Sequence, residues 1–580
     1  MHVVLTREPG GTVRVHDDPP RAVPAADLPA VVAQGEAAAR DDAPPRWTWD
    51  DTNRWYPGLL RAGVRVERSH DLRLVHRILR HSEPAAGAAL ATAPPGPWDT
   101  MAPTPAGRVP ASGARRPPQG DALFDLAAPT PAAPAVEAAG RLDPVSELTR
   151  QDEAVRGSAT PGRLRLLAAG ESAGALVAAE MHHAGLPWRG DVHDAILTEA
   201  LGPRPPEGQR PARLEALVRQ IRAALDAPPS LNPDSHPDLL KAMQYAGVGA
   251  RSLRKWELEK LDHPVVAPLL EYKNLYRLLT ANGWHWLDEW VTDGRFRTEY
   301  VVGGVVTGRW ASTGGGALQL PKGVRRAVVA DPGWCLVVAD VAQLEPRVLA
   351  GMAGDESMAR AGRAGDLYAG IVASGAVPTR ELAKVGMLGA MYGGTTGASA
   401  QVLPRLGREY PRAIALVEEA ARTGERGGVV TTWLGRSSPA PGSAWDEAQA
   451  GAFADDAGAD AAARARSVTR SWGRFTRNFV VQGTAAEWAL CWMASIRRRL
   501  WALGKTSGAP GLAPAPFADR PHLAFFLHDE VVVHAPRELA DVVAAEVRAA
   551  AEEAGQLLFG GFPVDFPLTV AAVDSYADAK

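Results

Sequence analysis

Hydrophobic residues recur at helical spacing in several long stretches of the 580-residue chain. The pattern predicts a helix near Leu72–Leu79, a long helix starting near Leu164, and two more helices within residues 214–225 and 264–284. Continuous apolar runs rich in β-branched residues predict strands instead: Cys335–Ala339, Phe525–Leu527, Val531–Val533 and a segment near Leu568–Val573. Because both periodicities occur in one chain, the sequence predicts a multi-domain α/β protein.

Two stretches interrupt these patterns. From Pro84 to Pro134 there are 12 prolines among 51 residues, mixed with Ala and Gly. Such a composition buries too little apolar surface to offset the entropy of ordering, so a disordered linker is expected. Residues 424–458 are irregular, which predicts a surface loop.

Composition excludes several classes of protein. Hydrophobic residues make up 46% and charged residues 22%, which rules out whole-chain disorder and a fibre. With only Cys335 and Cys491, a disulfide framework or cysteine zinc site is excluded. The N-terminus lacks a signal-peptide pattern and no 18-residue apolar run occurs, so a cytoplasmic protein without a membrane partner is expected. The net charge of −3 gives no overall indication of a polyanionic partner.

Two carboxylate motifs point to metal chemistry. Asp340 ends the apolar run Cys335–Ala339, and His528-Asp529-Glu530 interrupts two short β-rich runs. Either motif alone is also compatible with an ordinary strand end or hairpin turn. Together, two strand-borne aspartates are what a two-Mg²⁺ phosphoryl-transfer site requires, because the ions bridge the carboxylates and the reacting oxygens.

Two further motifs are predicted on helices. Arg380, Lys384, Leu388 and Tyr392 recur every four residues between Pro378-Thr379 and Gly393-Gly394, so they form one stripe. Its two cations suit triphosphate oxygens, and lysine is informative in a chain with 8 Lys against 55 Arg. In a second stretch, Arg470, Arg474, Asn478 and Gln482 repeat at the same spacing before a Gly-Thr-Ala-Ala run. Asn and Gln there can bind base or sugar edges.

Local charge differs from the average. Residues 461–486 hold five Arg and no acid, and residues 295–326 hold six basic residues against the single acid Glu299. Each stretch is a candidate phosphate-contacting surface, although a solvated helix face would have the same composition.

In this order the motifs resemble the DNA polymerase I family, the family A DNA polymerases, over residues 164–580. Asp340-x-x-Gln343-x-Glu345-x-Arg347 is similar to motif A, Arg380-x3-Lys384-x7-Tyr392-Gly393 to motif B, and His528-Asp529-Glu530 to motif C. Thr307-Gly308-Arg309 and Asn478-x3-Gln482 resemble two further segments of the family.

The resemblance implies a right-hand fold. A thumb is expected at about residues 164–290 and a palm with an antiparallel sheet plus helical fingers at about residues 291–580. A truncated 3′–5′ exonuclease-like α/β domain is expected at residues 1–83, a linker at 84–143 and a connector at 144–163. We expect a monomer that acts on primer–template DNA and dNTPs, in repair or replication.

The resemblance also implies roles for individual residues. Asp340 and Asp529 would hold two Mg²⁺ ions, with Lys384 counted among the catalytic residues. The incoming nucleotide would be bound by a set of fingers and palm residues: Arg380, Lys384, Tyr392, Glu345, Gln343, Leu388 and Tyr368. Glu345 among them would exclude a ribose 2′-OH. DNA would be contacted by a set with polar or cationic ends: Arg309, Arg347, Arg474, Asn478, Gln482 and His528.

The chain departs from the family pattern at informative positions. Leu388 stands where an aromatic residue is usual, and Tyr368 replaces a usual His. No Asp-x-Glu pair occurs in residues 1–150, and Tyr56 falls about where an exonuclease Asp is usual, so loss of proofreading is expected. Two alternatives remain: a phage-type single-subunit RNA polymerase, which tolerates a non-aromatic residue at the Leu388 position, and a DNA-binding scaffold without activity.

Overall fold

The computed structural model describes residues 1–38, 44–105, 142–313, 315–363, 365–394, 397–452 and 459–579. These residues form two compact units. The described residues within Met1–Gly185, Thr298–Thr313 and Asp331–Val573 form the larger unit, and those within Leu186–Arg297, Gly314–Ala330 and Asp574–Lys580 form the smaller unit. Each is described by itself below.

The larger unit begins with a five-stranded mixed sheet in the order β3-β2-β1-β4-β5. Its strands are β1 (His2–Glu8), β2 (Thr12–His16), β3 (Arg21–Pro24), β4 (Arg46–Trp49) and β5 (Arg68–Asp71). Four helices accompany them: α1 (Leu28–Ala38), α2 (Thr52–Arg61), α3 (Leu72–His81) and α4 (Ala89–Thr92). The β1–β4–β5 part is parallel and the rest antiparallel, and the predicted helix near Leu72–Leu79 is confirmed as α3.

The structure corrects the N-terminal limit of the predicted linker. Residues 84–105 are packed: α4 follows a 3₁₀ turn, Leu90 and Trp98 are buried, and Asp99 accepts a hydrogen bond of 2.8 Å from Arg80. Proline density misled the prediction because two apolar side chains suffice to anchor this segment to α3 and its neighbours. The rest of the predicted linker, residues 106–141, lies outside the described residues.

Helices α5 (Pro144–Arg156) and α6 (Pro161–Ala184) follow. Asp143 caps α5 by accepting hydrogen bonds from Val145 and Ser146, and Pro144 occupies the first turn, where no partner for its nitrogen is needed. Helix α6 belongs to the larger unit, whereas the sequence placed it in the thumb. It is buried nearly all round, so its apolar pattern did not show which neighbours it packs against.

The smaller unit is mostly helical. It contains a small sheet of β6 (Leu186–Pro187), β7 (Val291–Thr292) and β8 (Arg295–Phe296), together with α7 (Gly190–Leu201), α8 (Ala212–Ala224), α9 (His236–Tyr245), α10 (Lys255–Leu258), α11 (Val266–Asn282) and α12 (Trp284–Trp290). The predicted helices within residues 214–225 and 264–284 are confirmed as α8 and α11. The apolar faces of α8 and α11 contribute to one core, which includes Leu217 and Ile221 of α8 and Leu269 and Tyr272 of α11.

The larger unit resumes with the short pair β9 (Tyr300–Val301) and β10 (Ala311–Ser312). A four-stranded antiparallel sheet then carries the candidate site, in the order β12-β13-β11-β14. Its strands are β11 (Trp334–Val341), β12 (His522–Leu527), β13 (Glu530–Pro536) and β14 (Leu568–Val573), which confirms all four predicted strands. Strand β11 is central, and side chains on both of its faces are buried, which explains its continuous apolar run.

Helices fill the remainder of this unit. They are α13 (Leu344–Ala353), α14 (Glu356–Gly362), α15 (Leu367–Ala373), α16 (Arg380–Tyr392), α17 (Gly397–Glu409), α18 (Pro411–Glu425), α19 (Ser443–Ala452), the 44-residue α20 (Ala459–Ala502) and α21 (Ala540–Phe559). None of the helices within the described ranges is long and apolar enough to cross a membrane.

The predicted surface loop at residues 424–458 is wrong for much of its length. The segment includes α19 and an antiparallel bridge between Thr431 and Ser437, and it buries Leu434. Its Thr432 hydroxyl donates to Glu487 of α20. Tertiary contacts of a few residues anchor it, which no local periodicity indicates. Residues 453–458 lie outside the described part.

Candidate active site

The two predicted metal ligands lie at the same end of the palm-like sheet. Asp340 is near the end of β11, opposite Glu530 of β13, and Asp529 lies in the turn that joins β12 to β13. The nitrogen of Val341 donates to the carbonyl oxygen of Asp529 over 3.2 Å. Antiparallel pairing therefore brings together two aspartates that are 189 positions apart in sequence.

This donor set fits magnesium. Asp340 and Asp529 are both half-buried, so each carboxylate keeps an accessible side, and Mg²⁺ prefers carboxylate and other oxygen ligands. In the described part of the chain, no three His, Cys, Asp or Glu side chains gather as a closed metal cage. An ion held here would keep coordination positions for substrate oxygens or water.

The hairpin turn between the strands is strained. Leu527 pairs with Glu530, so the loop contains only His528 and Asp529, and His528 has a φ of 60°. The first position of such a two-residue turn favours glycine, and a side chain there carries strain. Partial burial lowers the pKa of the His528 imidazole, and the nearby cation Arg309 lowers it further. An imidazole whose protonated form is disfavoured thus stands next to the candidate metal ligand Asp529.

Four of the predicted residues form one hydrogen-bonded chain. Arg309 pairs with Glu345, the Tyr392 hydroxyl donates to Glu345 over 2.6 Å, and the Gln482 amide lies 3.4 Å from the Tyr392 oxygen. Burial and then the Glu345 charge raise the pKa of Tyr392 to about 12. These contacts connect four segments that are far apart in sequence: the loop before β10, α13, α16 and α20.

Gly308 positions Arg309. Its φ is 87°, and a Cβ atom at this position would come within 2.5 Å of the Arg436 Nε atom. The backbone conformation therefore favours glycine, and a Cβ atom here would displace the end of the half-buried Arg436 side chain. This preference gives a structural reason for the glycine in the Thr-Gly-Arg sequence.

Helix α16 has the predicted limits. The Thr379 side chain accepts a hydrogen bond from the nitrogen of Leu382, and Gly393 ends the helix with a φ of 76°. A Cβ at Gly393 would come within 2.6 Å of the Arg474 side chain, so α20 covers this helix end. Leu388 is partly buried and packs against a core cluster that includes Met387 and Met391.

The two cations of α16 differ in their surroundings. Arg380 Nε donates to Asp366 over 2.6 Å, and its guanidinium lies 5.6 Å from the centre of the Tyr368 ring. Lys384 is exposed and has no ion-pair partner among the described residues. Tyr368 is buried, and burial followed by the Glu345 charge raises its pKa to about 12.

Asp366 is a residue that sequence reasoning missed. Its Oδ1 atom caps α15 by accepting from Tyr368 and Ala369, while Oδ2 binds Arg380. An aspartate directly before a helical run is a recognisable start signal, so the cap was predictable, but the arginine partner was not. Arg477 was also missed: it donates to the Ala390 carbonyl over 2.9 Å and so ties α20 to α16.

Arg347 is wrong as a DNA-contacting residue. Its side chain is buried, with 1% exposed, and donates to the carbonyl oxygens of Ala342, Gly362, Gly365 and Asp565. Burial lowers its pKa to about 10. A guanidinium enclosed by four carbonyls cannot reach a phosphate, and it instead fixes the loops around the site.

Gln343 has a related supporting position. It adopts a φ of 49° before α13, and its amide oxygen accepts from Leu367 over 3.2 Å and lies 3.4 Å from an Arg347 nitrogen. The geometry links the end of β11 to α15. Whether Gln343 also touches a nucleotide stays a prediction.

The α20 residues share one helix. Arg474, Asn478 and Gln482 lie within Ala459–Ala502 at four-residue spacing. Asn478 is buried with 8% exposed, and its Oδ1 atom has no hydrogen-bond partner in the described part of the chain. Their contacts to DNA stay predictions.

Two aspartates at one end of an antiparallel sheet, and a helix with two cations that the Tyr392–Glu345 hydrogen bond joins to α13, are the arrangement expected of a right-hand fold. The sequence model described as DNA polymerase family A matches residues 236–575. The chain belongs to this family.

Individual relatives agree. The thermostable DNA polymerase I of Thermus filiformis is 29% identical over 355 residues, covering 56% of this chain and 37% of the relative. DNA polymerase I of Chloroflexus aurantiacus is 28% identical over 334 residues, 52% of this chain and 31% of the relative. The DNA polymerase of Mycobacterium phage D29 is 29% identical over 281 residues, which cover 44% of this chain and 39% of the relative. The chain thus matches well under half the length of these relatives.

A solved structure has the same fold. The POL domain of Pol1 from M. smegmatis, in complex with DNA primer-template and dNTP, superposes with a TM-score of 0.65 at 17% identity and covers 100% of this chain and 95% of that one. At this identity the likeness concerns the fold.

Proposed function

We propose that the chain is a template-directed DNA polymerase that adds dNTPs to a primer 3′-OH, acting in the cytoplasm in repair or replication. The observation that carries the proposal is the convergence of Asp340 and Asp529 at one end of the sheet, next to the Arg309–Glu345–Tyr392 contacts. A strained turn and clustered carboxylates beside an electropositive helix are typical of a catalytic site.

In the proposed reaction the primer 3′-oxygen attacks the α-phosphorus, and pyrophosphate leaves with the electron pair of the broken bond. Asp340 and Asp529 would hold two Mg²⁺ ions, which supply charge stabilisation for the attacking and leaving oxygens. Arg380 and Lys384 would bind the triphosphate, and this requires Arg380 to release or share Asp366. Tyr392 would pack beside the templating base. Catalysis then comes mainly from positioning and electrostatics.

Sugar selectivity is assigned to Glu345. Arg309 and Tyr392 hold its carboxylate in one orientation from two sides, so it would meet a ribose 2′-OH as a fixed obstacle rather than a mobile one. This favours a DNA over an RNA polymerase. Efficient extension of a primer with rNTPs in place of dNTPs would contradict the assignment.

Extension of a labelled primer–template separates an enzyme from a scaffold. We expect Asp340→Asn and Asp529→Asn to abolish extension while binding of primer–template DNA is largely retained. Asp541→Asn is the matched control, because Asp541 is exposed in the first turn of α21. If the unsubstituted chain extends no primer but still binds DNA, it is a scaffold.

We also propose that the N-terminal domain no longer hydrolyses DNA. Strand β1 (His2–Glu8) bears a carboxylate only at its last residue. Tyr56 is buried and donates to Glu180, while Asp51 and Asp71 accept hydrogen bonds from Arg73 and Thr52. These carboxylates are engaged within the protein. A 5′-labelled mismatched primer with Mg²⁺ and no dNTPs should stay at full length, and shortening of that primer would contradict the proposal.

A further inference from the structure

Two aromatic side chains of the smaller unit face solvent. Tyr245, the last residue of α9, is 82% exposed, and Trp256, in α10, is 56% exposed. No other Phe, Tyr or Trp in the described ranges has so much of its side chain in water. Apolar residues of the same segment, including Met243 and Leu253, are buried in the core. The segment therefore has an interior, and its two largest rings are left outside it.

Cations surround these rings. Residues 241–260 contain three of the chain's eight lysines, in a protein that otherwise uses arginine. The Lys241 ammonium lies 5.9 Å from the centre of the Tyr245 ring, and that of Lys260 lies 4.9 Å from the Trp256 ring. Such contacts leave the outer ring face open while the cation holds the ring in place.

The acids of the segment are already engaged. Glu257 accepts from the nitrogen of Arg251 over 2.6 Å and from the Ser252 hydroxyl, so its carboxylate holds the loop between α9 and α10. Glu259 pairs with Lys255 at 3.6 Å. Four further cations of the segment are exposed and form no ion pair within 4 Å among the described residues: Lys241, Arg251, Arg254 and Lys260.

We propose that this aromatic–cationic surface, formed by Tyr245, Trp256 and those four cations, binds single-stranded DNA. Unpaired bases offer open faces that stack on aromatic rings, and their phosphates attract lysine and arginine. A duplex hides its base faces, so a purely duplex-binding surface would gain nothing from two exposed rings. The proposal concerns side chains of the smaller unit only and does not depend on catalysis at Asp340 and Asp529.

Fluorescence anisotropy on the full-length chain tests the proposal. The probes are a labelled oligo-dT and a labelled blunt hairpin duplex. The oligo-dT has about 12 nucleotides, a length within the usual range of single-strand binding sites. We expect Tyr245→Ala/Trp256→Ala to weaken oligo-dT binding by about tenfold or more, as loss of base stacking does. Duplex binding and primer extension should not change. Leu512→Ala, which removes a 72% exposed apolar side chain elsewhere, is the control and should leave oligo-dT binding intact.

Conservative variants separate stacking from apolar docking. Trp256→Phe keeps an aromatic face and should retain most oligo-dT affinity, whereas Trp256→Leu keeps apolar area without that face and should lose it. Lys241→Ala/Lys260→Ala should reduce the salt dependence of oligo-dT binding. The proposal is overturned if the double aromatic variant binds oligo-dT normally, if duplex and oligo-dT binding weaken equally, or if Trp256→Leu behaves as the unsubstituted chain, which would indicate a protein-docking surface.

Discussion

Replacing Arg347 with Met tests whether this residue supports the active site or contacts DNA. Methionine has a similar length but no hydrogen-bond donor. The substitution leaves the carbonyl oxygens of Ala342, Gly362, Gly365 and Asp565 without the guanidinium that now donates to them at 2.6–3.0 Å. We therefore expect a loss of stability without a direct loss of DNA contacts.

The size of the loss follows from the burial of those acceptors. Gly362 is buried, but its carbonyl oxygen keeps a second hydrogen bond of 3.2 Å from the nitrogen of Gly365, so losing the Arg347 bond costs about 0.5–1.5 kcal/mol. The other three residues are half-buried or exposed, so water can replace the donor, and each contributes about 0.5–1.5 kcal/mol. Removing the buried charge also relieves its desolvation penalty. We expect the free energy of unfolding to fall by about 2–4 kcal/mol, within the range of single buried substitutions.

Urea unfolding followed by circular dichroism measures this change from the shift in midpoint at equal slope. Arg347→Lys keeps the charge with fewer donors in a different geometry and should lose less stability. Arg360→Met, at an exposed position of α14, should leave the midpoint unchanged. A loss below about 0.5 kcal/mol, the usual scatter of surface substitutions, together with weaker primer–template binding would refute this reasoning.

Three further outcomes are expected. Asp366→Asn keeps the Oδ1 cap of α15 but removes the charge that holds Arg380. The KM for dNTP in steady-state primer extension should therefore fall while kcat stays the same. An unchanged KM would show that the ion pair does not compete with nucleotide binding. Burial raises the pKa of Glu487 from 4.5 to about 7, so the native state holds a proton that the unfolded chain has released, and stability should decrease as the pH rises between these values. The urea midpoint of Glu487→Gln should not decrease over this pH range. If the midpoints of both proteins change equally with pH, the assignment to Glu487 is wrong. His528→Gly removes the strain at a φ of 60°, so thermal unfolding should show unchanged or higher stability while extension falls; a clear loss of stability would show that the His528 side chain holds the turn.

Local patterns in the sequence were enough to predict the elements that carry the candidate site residues. The apolar run of β11 predicted a strand, and the four-residue spacing of Arg380, Lys384, Leu388 and Tyr392 between a threonine cap and a glycine stop predicted a helix. Both are local: side-chain periodicity and terminal capping act within a few residues and leave a readable pattern. The order of the motifs was enough to identify the family.

Which of these residues lie together at the candidate site depends on tertiary packing. Arg347 and Arg309 are equally cationic in sequence, yet one is enclosed by carbonyls and the other pairs with Glu345 at the site. The partner of Arg380, the packing of residues 84–105 and the burial of Leu434 likewise depend on segments far away in the chain. Burial and hydrogen bonding are set by such long-range packing, and a local pattern contains no record of the neighbour that provides it.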